Sequence, residues 1–257
     1  MSARDQTDLL ARAAAAVGDR GTARRCLPLL DLTSLNESDT EADIGALCRR
    51  ARRHGVAAVC IYPRFLRLAR TELADSGVRL ATVANFPDGS DDLARAVDEA
   101  AAALADGADE IDLVIPIEAV LAGDIAAATE MVEAVRACAP GALLKVILET
   151  GRLASADRIA AAARAAVMAG ADMLKTSTGK LTPGATLDAT AVLLAVCAEA
   201  GGRVGCKAAG GIRTVGQAAG YLVLADTLLG AEWARPATFR FGASALLDDI
   251  LGRLDRT

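Results

Sequence analysis

The lysines of this sequence are the residues best suited to covalent chemistry. The chain has 28 basic residues, and only four of them are lysine: Lys145, Lys175, Lys180 and Lys207. All four lie within or just after strand-like apolar runs. An arginine side chain stays charged, whereas a lysine amine attacks a carbonyl carbon once its pKa is lowered. A chain that uses arginine elsewhere and keeps lysine in buried runs is therefore predicted to use an amine as a nucleophile.

An aspartate, Asp112, lies in an earlier strand-like run and is predicted to act with Lys145, Lys175 and Lys207. One interpretation is a salt-bridge network of the three lysines with Asp112 and Glu149 that only supports the fold. The other is that a neighbouring cation drives one amine towards neutrality and Asp112 moves protons. We favour the second, because like charges packed in a core are costly. Spacing alone does not rank the three lysines.

Glycine-containing segments after the sixth, seventh and eighth strand-like runs are predicted to bind a phosphate group. In (β/α)8 barrels, phosphate is held by the backbone N–H groups of such loops and of the helix that follows each loop. The predicted phosphate-binding residues are Gly179, Lys180, Gly210, Gly211, Gly242 and Ser244. The predicted substrate is therefore a small phosphorylated carbonyl compound.

Regular alternation of strand-like and helical patterns predicts the elements that position these residues. The strand-like runs are residues 27–32, 56–62, 79–85, 110–115, 143–149, 173–177, 204–208 and 238–242. Helical patterns lie between them, for example at residues 39–53, 91–106, 125–139, 155–169, 186–200 and 214–228. Eight such units predict an α/β fold, a (β/α)8 TIM barrel, whose active site lies at the carboxyl ends of the strands. An open doubly wound sheet is the alternative.

Residues 1–257 are predicted to form a single domain, with the barrel at 26–250 and an extra region at 1–20. An amphipathic helix is predicted for residues 2–18 ahead of the first strand. A lid on the lower end of the barrel or an oligomer contact would each explain this helix.

Composition excludes several classes of protein. The net charge of -5 is spread along the chain, which argues against a nucleic-acid surface. The longest apolar stretches fall short of the roughly 18 residues that cross a bilayer, and the start of the chain lacks a signal-peptide pattern. Six cysteines without a CxxC pair indicate buried free thiols in the cytoplasm. With His54 as the one histidine, neither a histidine triad nor a multi-histidine zinc site is expected.

Eight segments of the chain resemble the deoxyribose-phosphate aldolase family. They are residues 31–36 (DLTSLN), 60–65 (CIYPRF), 84–87 (ANFP), 108–112 (ADEID), 144–151 (LKVILETG), 175–180 (KTSTGK), 207–214 (KAAGGIRT) and 240–244 (RFGAS). They occur in order from about residue 26 to 250, without large insertions.

The resemblance implies cleavage of 2-deoxy-D-ribose 5-phosphate to D-glyceraldehyde 3-phosphate and acetaldehyde, and the reverse addition. It implies that Lys175, which opens KTSTG, forms the Schiff base. It implies that Lys207 perturbs that amine and assists proton transfer, and that Asp112 is the catalytic aspartate. No metal and no cofactor are implied, and the assembly implied is a homodimer.

The chain departs from the family pattern at three places. Ala208 stands where many members have proline, and Ala245 stands where many have a second serine. Some members end in a tyrosine that relays a proton, whereas residues 253–257 read RLDRT. Two rival functions stay open: a Schiff-base aldolase for another phosphorylated sugar, and a barrel that binds phosphosugars without catalysis.

Overall fold

Eight parallel strands form a closed barrel in a computed structural model that describes residues 3–255. The strands follow one another in chain order, and β1 pairs with β8 to close the barrel. Their bounds are β1 Leu30–Ser34, β2 Ala58–Ile61, β3 Arg79–Ala84, β4 Glu110–Val114, β5 Leu143–Ile147, β6 Met173–Lys175, β7 Gly205–Ala209 and β8 Phe239–Ala243. The predicted TIM barrel is confirmed, and the alternative of an open sheet is wrong.

Helices surround the barrel over the described residues. Their bounds are α1 Ala3–Ala14, α2 Arg20–Cys26, α3 Glu41–His54, α4 Leu66–Glu72, α5 Leu93–Ala105, α6 Ile117–Leu121, α7 Ile125–Cys138, α8 Thr150–Leu153, α9 Ala156–Met168, α10 Leu187–Glu199, α11 Val215–Leu229 and α12 Leu246–Leu254. Short 3-10 turns occur at Leu27–Leu29 and Pro63–Phe65. No helix among residues 3–255 is long and apolar enough to cross a membrane.

Polar side chains at the helix starts explain why the helices begin where they do. Thr214 caps α11 by accepting a hydrogen bond from the Gln217 N–H, and the Gln217 side chain accepts one in return from the Thr214 N–H. This reciprocal arrangement satisfies backbone donors that have no partner within the helix. Asp92 and Ser155 cap α5 and α9 in the simpler way, with one accepted bond each.

The first strand begins three residues later than predicted. Residues Leu27–Leu29 form a 3-10 turn, and Pro28 within it has no N–H to donate to a neighbouring strand. The strand then continues to Ser34. Asp31 lies inside β1, and its side chain is fully buried.

The predicted N-terminal helix is present as α1, but it ends at Ala14, and the separate helix α2 follows it. Its predicted start at Ser2 lies outside the described residues. α1 packs on the outer surfaces of α10 and α11, so it is not a lid on the lower end of the barrel. A Cβ added at Gly220 in α11 would lie 2.6 Å from the carbonyl oxygen of Ala13, so glycine is what permits this close approach.

Candidate active site

Strand register brings the three predicted lysines and Asp112 together inside the barrel. Asp112 on β4 pairs with Lys145 on β5, and Lys175 on β6 pairs with Lys207 on β7. All four side chains are buried. Lys175 pairs with Ile147, two residues beyond Lys145, and therefore lies one layer nearer the carboxyl ends of the strands.

The carboxylate of Asp112 accepts a hydrogen bond from each of these three amines. Lys145 Nζ lies 2.7 Å from Oδ1, and Lys175 Nζ lies 2.7 Å from Oδ2. Lys207 Nζ lies 2.8 Å from the same Oδ2 atom. Asp112 is therefore the common partner of all the candidate nucleophiles and could exchange a proton with any of them.

Further ion pairs extend from these lysines into a closed circuit. Lys207 Nζ lies 2.6 Å from Asp31 Oδ2, and Asp31 Oδ1 lies 2.5 Å from Arg240 Nη1. Arg240 Nη2 in turn lies 3.1 Å from Glu110 Oε1, and Glu110 Oε2 lies 2.6 Å from Lys145 Nζ. We call the six residues of this circuit the charged ring: Asp31, Arg240, Glu110, Lys145, Asp112 and Lys207.

Opposite charges alternate around the charged ring, and they sum to zero. Three carboxylates face two ammonium groups and one guanidinium group, and every member is at most 4% exposed. Lys175 is attached to the ring through Asp112 as a seventh ionisable group. Protonation of Lys175 would leave a buried site with a net positive charge, which is costly in a low-dielectric interior. The geometry therefore favours Lys175 as the lysine that stays neutral.

The pKa directions of the three lysines agree with this charge balance. Burial lowers the pKa of Lys175 below its ordinary value; Asp112 opposes the shift and Lys207 adds to it. Burial also disfavours the charged forms of Lys145 and Lys207, but their carboxylate partners outweigh it and raise both pKa values. Lys175 is thus the one of the three whose charged form is disfavoured, which the sequence did not reveal. Burial contributes more to its shift than the predicted neighbouring cation does.

The two aspartates of the ring stay ionised. Burial alone would raise the pKa of Asp112, but Lys145, Lys175 and Lys207 hold it well below its ordinary value. The pKa of Asp31 is lowered against the effect of burial by Lys207 and then by Arg240. Asp112 is therefore ionised, which is the form that accepts a proton, and its lowered pKa favours passing that proton on.

Glu149 does not belong to this network, so the interpretation that paired it with the lysines is wrong. Its Oε2 atom accepts a hydrogen bond from the Thr178 N–H at 3.0 Å. Glu149 ends the β5 strand region with a positive φ of 49°, which turns its side chain towards the loop after β6. Its contact therefore holds the loop that directly follows Lys175.

A cavity of about 270 Å³ opens above Lys175 at the carboxyl ends of the strands. All the predicted phosphate-binding residues line it, namely Gly179, Lys180, Gly210, Gly211, Gly242 and Ser244. Gly210 has a φ of 95°, and an added Cβ would lie 3.1 Å from the Cα of Gly184. Two loops therefore pass so closely that a side chain at Gly210 would force them apart.

Lys180 crosses the mouth of this cavity. Its Nζ donates a hydrogen bond to the carbonyl oxygen of Leu35 and lies 5.8 Å from the centre of the Tyr62 ring. Lys180 is exposed at the surface, so its amine can reorient towards an anion at little cost. Ser244 is likewise exposed at the rim, after β8.

Sequence reasoning missed that Asp31, Glu110 and Arg240 complete the network. One signal could have found Glu110, because residues two apart in a strand face the same side and Glu110 precedes Asp112 by two. In β8, Arg240 likewise precedes Gly242, a predicted phosphate-binding residue, by two positions, so the two face the same side of the sheet. Among residues 3–255, no three His, Cys, Asp or Glu side chains are grouped as a metal site requires.

Comparison with known proteins agrees with this geometry. The model of the DeoC/LacD family aldolases matches residues 26–249. The deoxyribose-phosphate aldolase of Agrobacterium fabrum is 50% identical over 239 residues, which cover 91% of this chain and 92% of that protein. The tetrameric deoxyribose phosphate aldolase from Aeropyrum pernix superposes with a TM-score of 0.76 at 28% identity, covering 98% of both chains. A candidate deoxyribose-phosphate aldolase from Coccidioides immitis gives 0.81 at 30% identity, also over 98% of both chains. The chain belongs to the DeoC/LacD family of aldolases.

Proposed function

We propose that this protein cleaves 2-deoxy-D-ribose 5-phosphate reversibly to D-glyceraldehyde 3-phosphate and acetaldehyde, through an imine on Lys175. The observation that carries the proposal is the position of Lys175, whose charged form is disfavoured. It lies beside the charged ring, whose charges sum to zero, at the base of the cavity lined by glycines. The 50% identical relative from Agrobacterium fabrum, which bears the name of this activity, supports the choice of substrate.

The first step is attack by the neutral Lys175 amine on the C1 aldehyde carbon of the open-chain sugar. The resulting carbinolamine loses its hydroxyl as water after that oxygen gains a proton, and a protonated imine forms. Asp112, 2.7 Å from Lys175 Nζ, accepts the proton that nitrogen releases. Lys207 contacts the same carboxylate oxygen at 2.8 Å and is the neighbouring acid that can return a proton.

Carbon–carbon cleavage then uses the imine as an electron sink. A base removes the proton of the C3 hydroxyl, its electrons form the new aldehyde, and the C2–C3 bond pair moves into the imine to give an enamine. The break lies between C2 and C3 because acetaldehyde carries C1 and C2. Protonation of the enamine carbon and hydrolysis of the imine release acetaldehyde and restore Lys175.

The phosphate group is held at the rim in this proposal. Gly210 and Gly211 present backbone groups with positive φ values of 95° and 88°, and Lys180 supplies a cation that can leave the Leu35 carbonyl. Backbone N–H groups in such turns form a concave anion site. Gly242 and Ser244 complete the site after β8.

Assembly and location in the cell stay predictions. The Aeropyrum pernix relative is a tetramer, and we propose a homodimer for this chain, which light scattering of the purified protein would check. A cytoplasmic location is proposed because all six cysteines are free thiols, as is usual in a reducing compartment.

Borohydride trapping with acetaldehyde tests the proposal directly. Reduction of the imine should add an ethyl group, and peptide mass spectrometry should place it on Lys175. The Lys175→Arg variant should keep its fold by circular dichroism, form no adduct and lose activity, whereas Lys180→Arg should still form the adduct at Lys175. Absence of any lysine adduct in the wild-type protein would end the proposal. Preference for dihydroxyacetone over acetaldehyde as donor would point to a different aldolase.

A further inference from the structure

Two members of the charged ring, Arg240 and Glu110, lie away from the cavity that holds the proposed substrate. Arg240 and Glu110 line a separate cavity of about 500 Å³ at the opposite, amino-terminal end of the barrel. Both side chains reach this second cavity, and neither lines the cavity above Lys175. Neither residue therefore has a place in the proposed chemistry through direct contact.

The charges of Arg240 and Glu110 nevertheless determine the net charge of the charged ring. Without the Arg240 guanidinium, three carboxylates would face only Lys145 and Lys207, and the ring would carry one negative charge. Without the Glu110 carboxylate, the ring would carry one positive charge. Buried sites resist either imbalance, and a nearby titratable group compensates by gaining or losing a proton.

We propose that Arg240 and Glu110 are positioning residues that hold the charged ring at zero net charge, and that this balance keeps Lys175 neutral and nucleophilic. The inference rests on the proposed function, because it assigns these residues to the imine-forming lysine. Arg240 acts against protonation of Lys175, and Glu110 acts in favour of it.

Among the titratable and charged groups around Lys175, the members of the charged ring are the main source of charge that acts on its amine. The groups that face Lys175 from the surrounding elements are Asp31 on β1, Cys60 on β2, Asp112 on β4, Lys145 on β5, Lys207 on β7, and Lys180 and Arg213 at the rim of the cavity. Burial raises the pKa of the Cys60 thiol, so it is uncharged. Lys180 and Arg213 are exposed and are screened by solvent.

Charge-removing variants with opposite signs test this inference. The rate of borohydride trapping with acetaldehyde, measured against pH, reports the fraction of neutral Lys175. Arg240→Gln should move the acid limb of this profile to higher pH by on the order of one unit, because loss of a buried positive charge from the ring makes protonation of Lys175 easier. Glu110→Gln should move it to lower pH. The double variant Arg240→Gln with Glu110→Gln, whose ring is again neutral, should return the limb to its wild-type position.

An arginine in an exposed pair provides the matched control. Arg164 pairs with Glu199 at 2.8 Å on the outer helices, and both side chains are about half exposed. Arg164→Gln removes the same formal charge from the protein, and the position of the limb should not change. Arg240→Met removes the ring charge with an unbranched apolar side chain, and it serves if the glutamine variant does not fold.

The results separate this inference from the proposed function. A wild-type protein that forms no adduct at Lys175 refutes the proposed function itself. A wild-type protein that traps normally, beside a folded Arg240 variant whose acid limb stays in place, overturns the role of the ring. An Arg240 variant that traps more slowly at every pH, with no shift that the double variant reverses, shows that the residue only supports the fold.

Discussion

Substitution of Asp112 by asparagine tests how much the charged ring depends on its shared carboxylate. Asp112 contacts Lys145, Lys175 and Lys207 at 2.7, 2.7 and 2.8 Å. Asparagine has nearly the same shape but no charge, and its amide nitrogen is a donor that cannot accept from an ammonium group. The variant therefore keeps the packing and leaves two buried ammonium groups short of one partner.

The expected decrease in the free energy of unfolding depends on which carboxylate partners Lys145 and Lys207 keep in the variant. Removal of one partner from a buried ion pair costs about 3–5 kcal/mol. Lys145 keeps Glu110 at 2.6 Å and Lys207 keeps Asp31 at 2.6 Å, so we expect the lower end of this range. For a protein of this size, about 3 kcal/mol lowers the melting temperature by roughly 6–12 °C.

Thermal denaturation followed by circular dichroism measures this effect. The control is Asp226→Asn, because Asp226 pairs with Arg25 at 2.7 Å on the surface, where an ion pair contributes at most about 1 kcal/mol. The penalty in Asp112→Asn should shrink as pH rises from 7 to 9.5, because a lysine without its partner can then lose its proton. A melting temperature within 2 °C of the wild-type protein at pH 7, roughly the effect of 1 kcal/mol or less, would refute the reasoning.

Two further predictions concern acid stability and the floor of the phosphate site. Because folding lowers the pKa of Asp31 and Asp112, the folded protein binds fewer protons than the unfolded chain near the ordinary carboxyl pKa of about 3.9. The free energy of unfolding should therefore fall as pH drops below about 4, and urea titrations that give the same value at pH 3 and pH 6 would contradict this. In Gly242→Ala, the added Cβ would lie 2.8 Å from Ala209 Cβ and 3.0 Å from Lys207 Cε. This overpacking should cost about 1–3 kcal/mol of stability and raise the KM for the phosphorylated sugar, which urea titration and steady-state kinetics check.

Much of the fold was predictable because parallel barrels repeat one local pattern. Buried apolar strands followed by alanine-rich helices identified the elements, and the structure shows polar caps such as Thr214 and Ser155 where helices begin. The first strand was misplaced by three residues because an apolar run does not distinguish a strand from a 3-10 turn. Pro28 was the local signal that the run begins with a turn.

The catalytic layer was only partly predictable. The scarcity of lysine indicated amine chemistry, and the strand-like runs placed Lys145, Lys175 and Lys207 on consecutive strands. The predicted partner Glu149 proved to accept a hydrogen bond from a loop N–H, and its backbone is left-handed, with a φ of 49° just after β5. Backbone conformation of this kind leaves no mark in hydrophobic periodicity.

The sequence by itself determined the residue types of the site, the order of the strands and the loops that face the proposed phosphate. Only the tertiary structure decided which lysine has its charged form disfavoured. A buried pKa depends on the sum of charges around the group in space. That sum includes Arg240, whose partners Asp31 and Glu110 lie 209 and 130 residues away along the chain. Closure of the barrel between β8 and β1 is what places Arg240 beside Asp31 and completes the neutral ring next to Lys175.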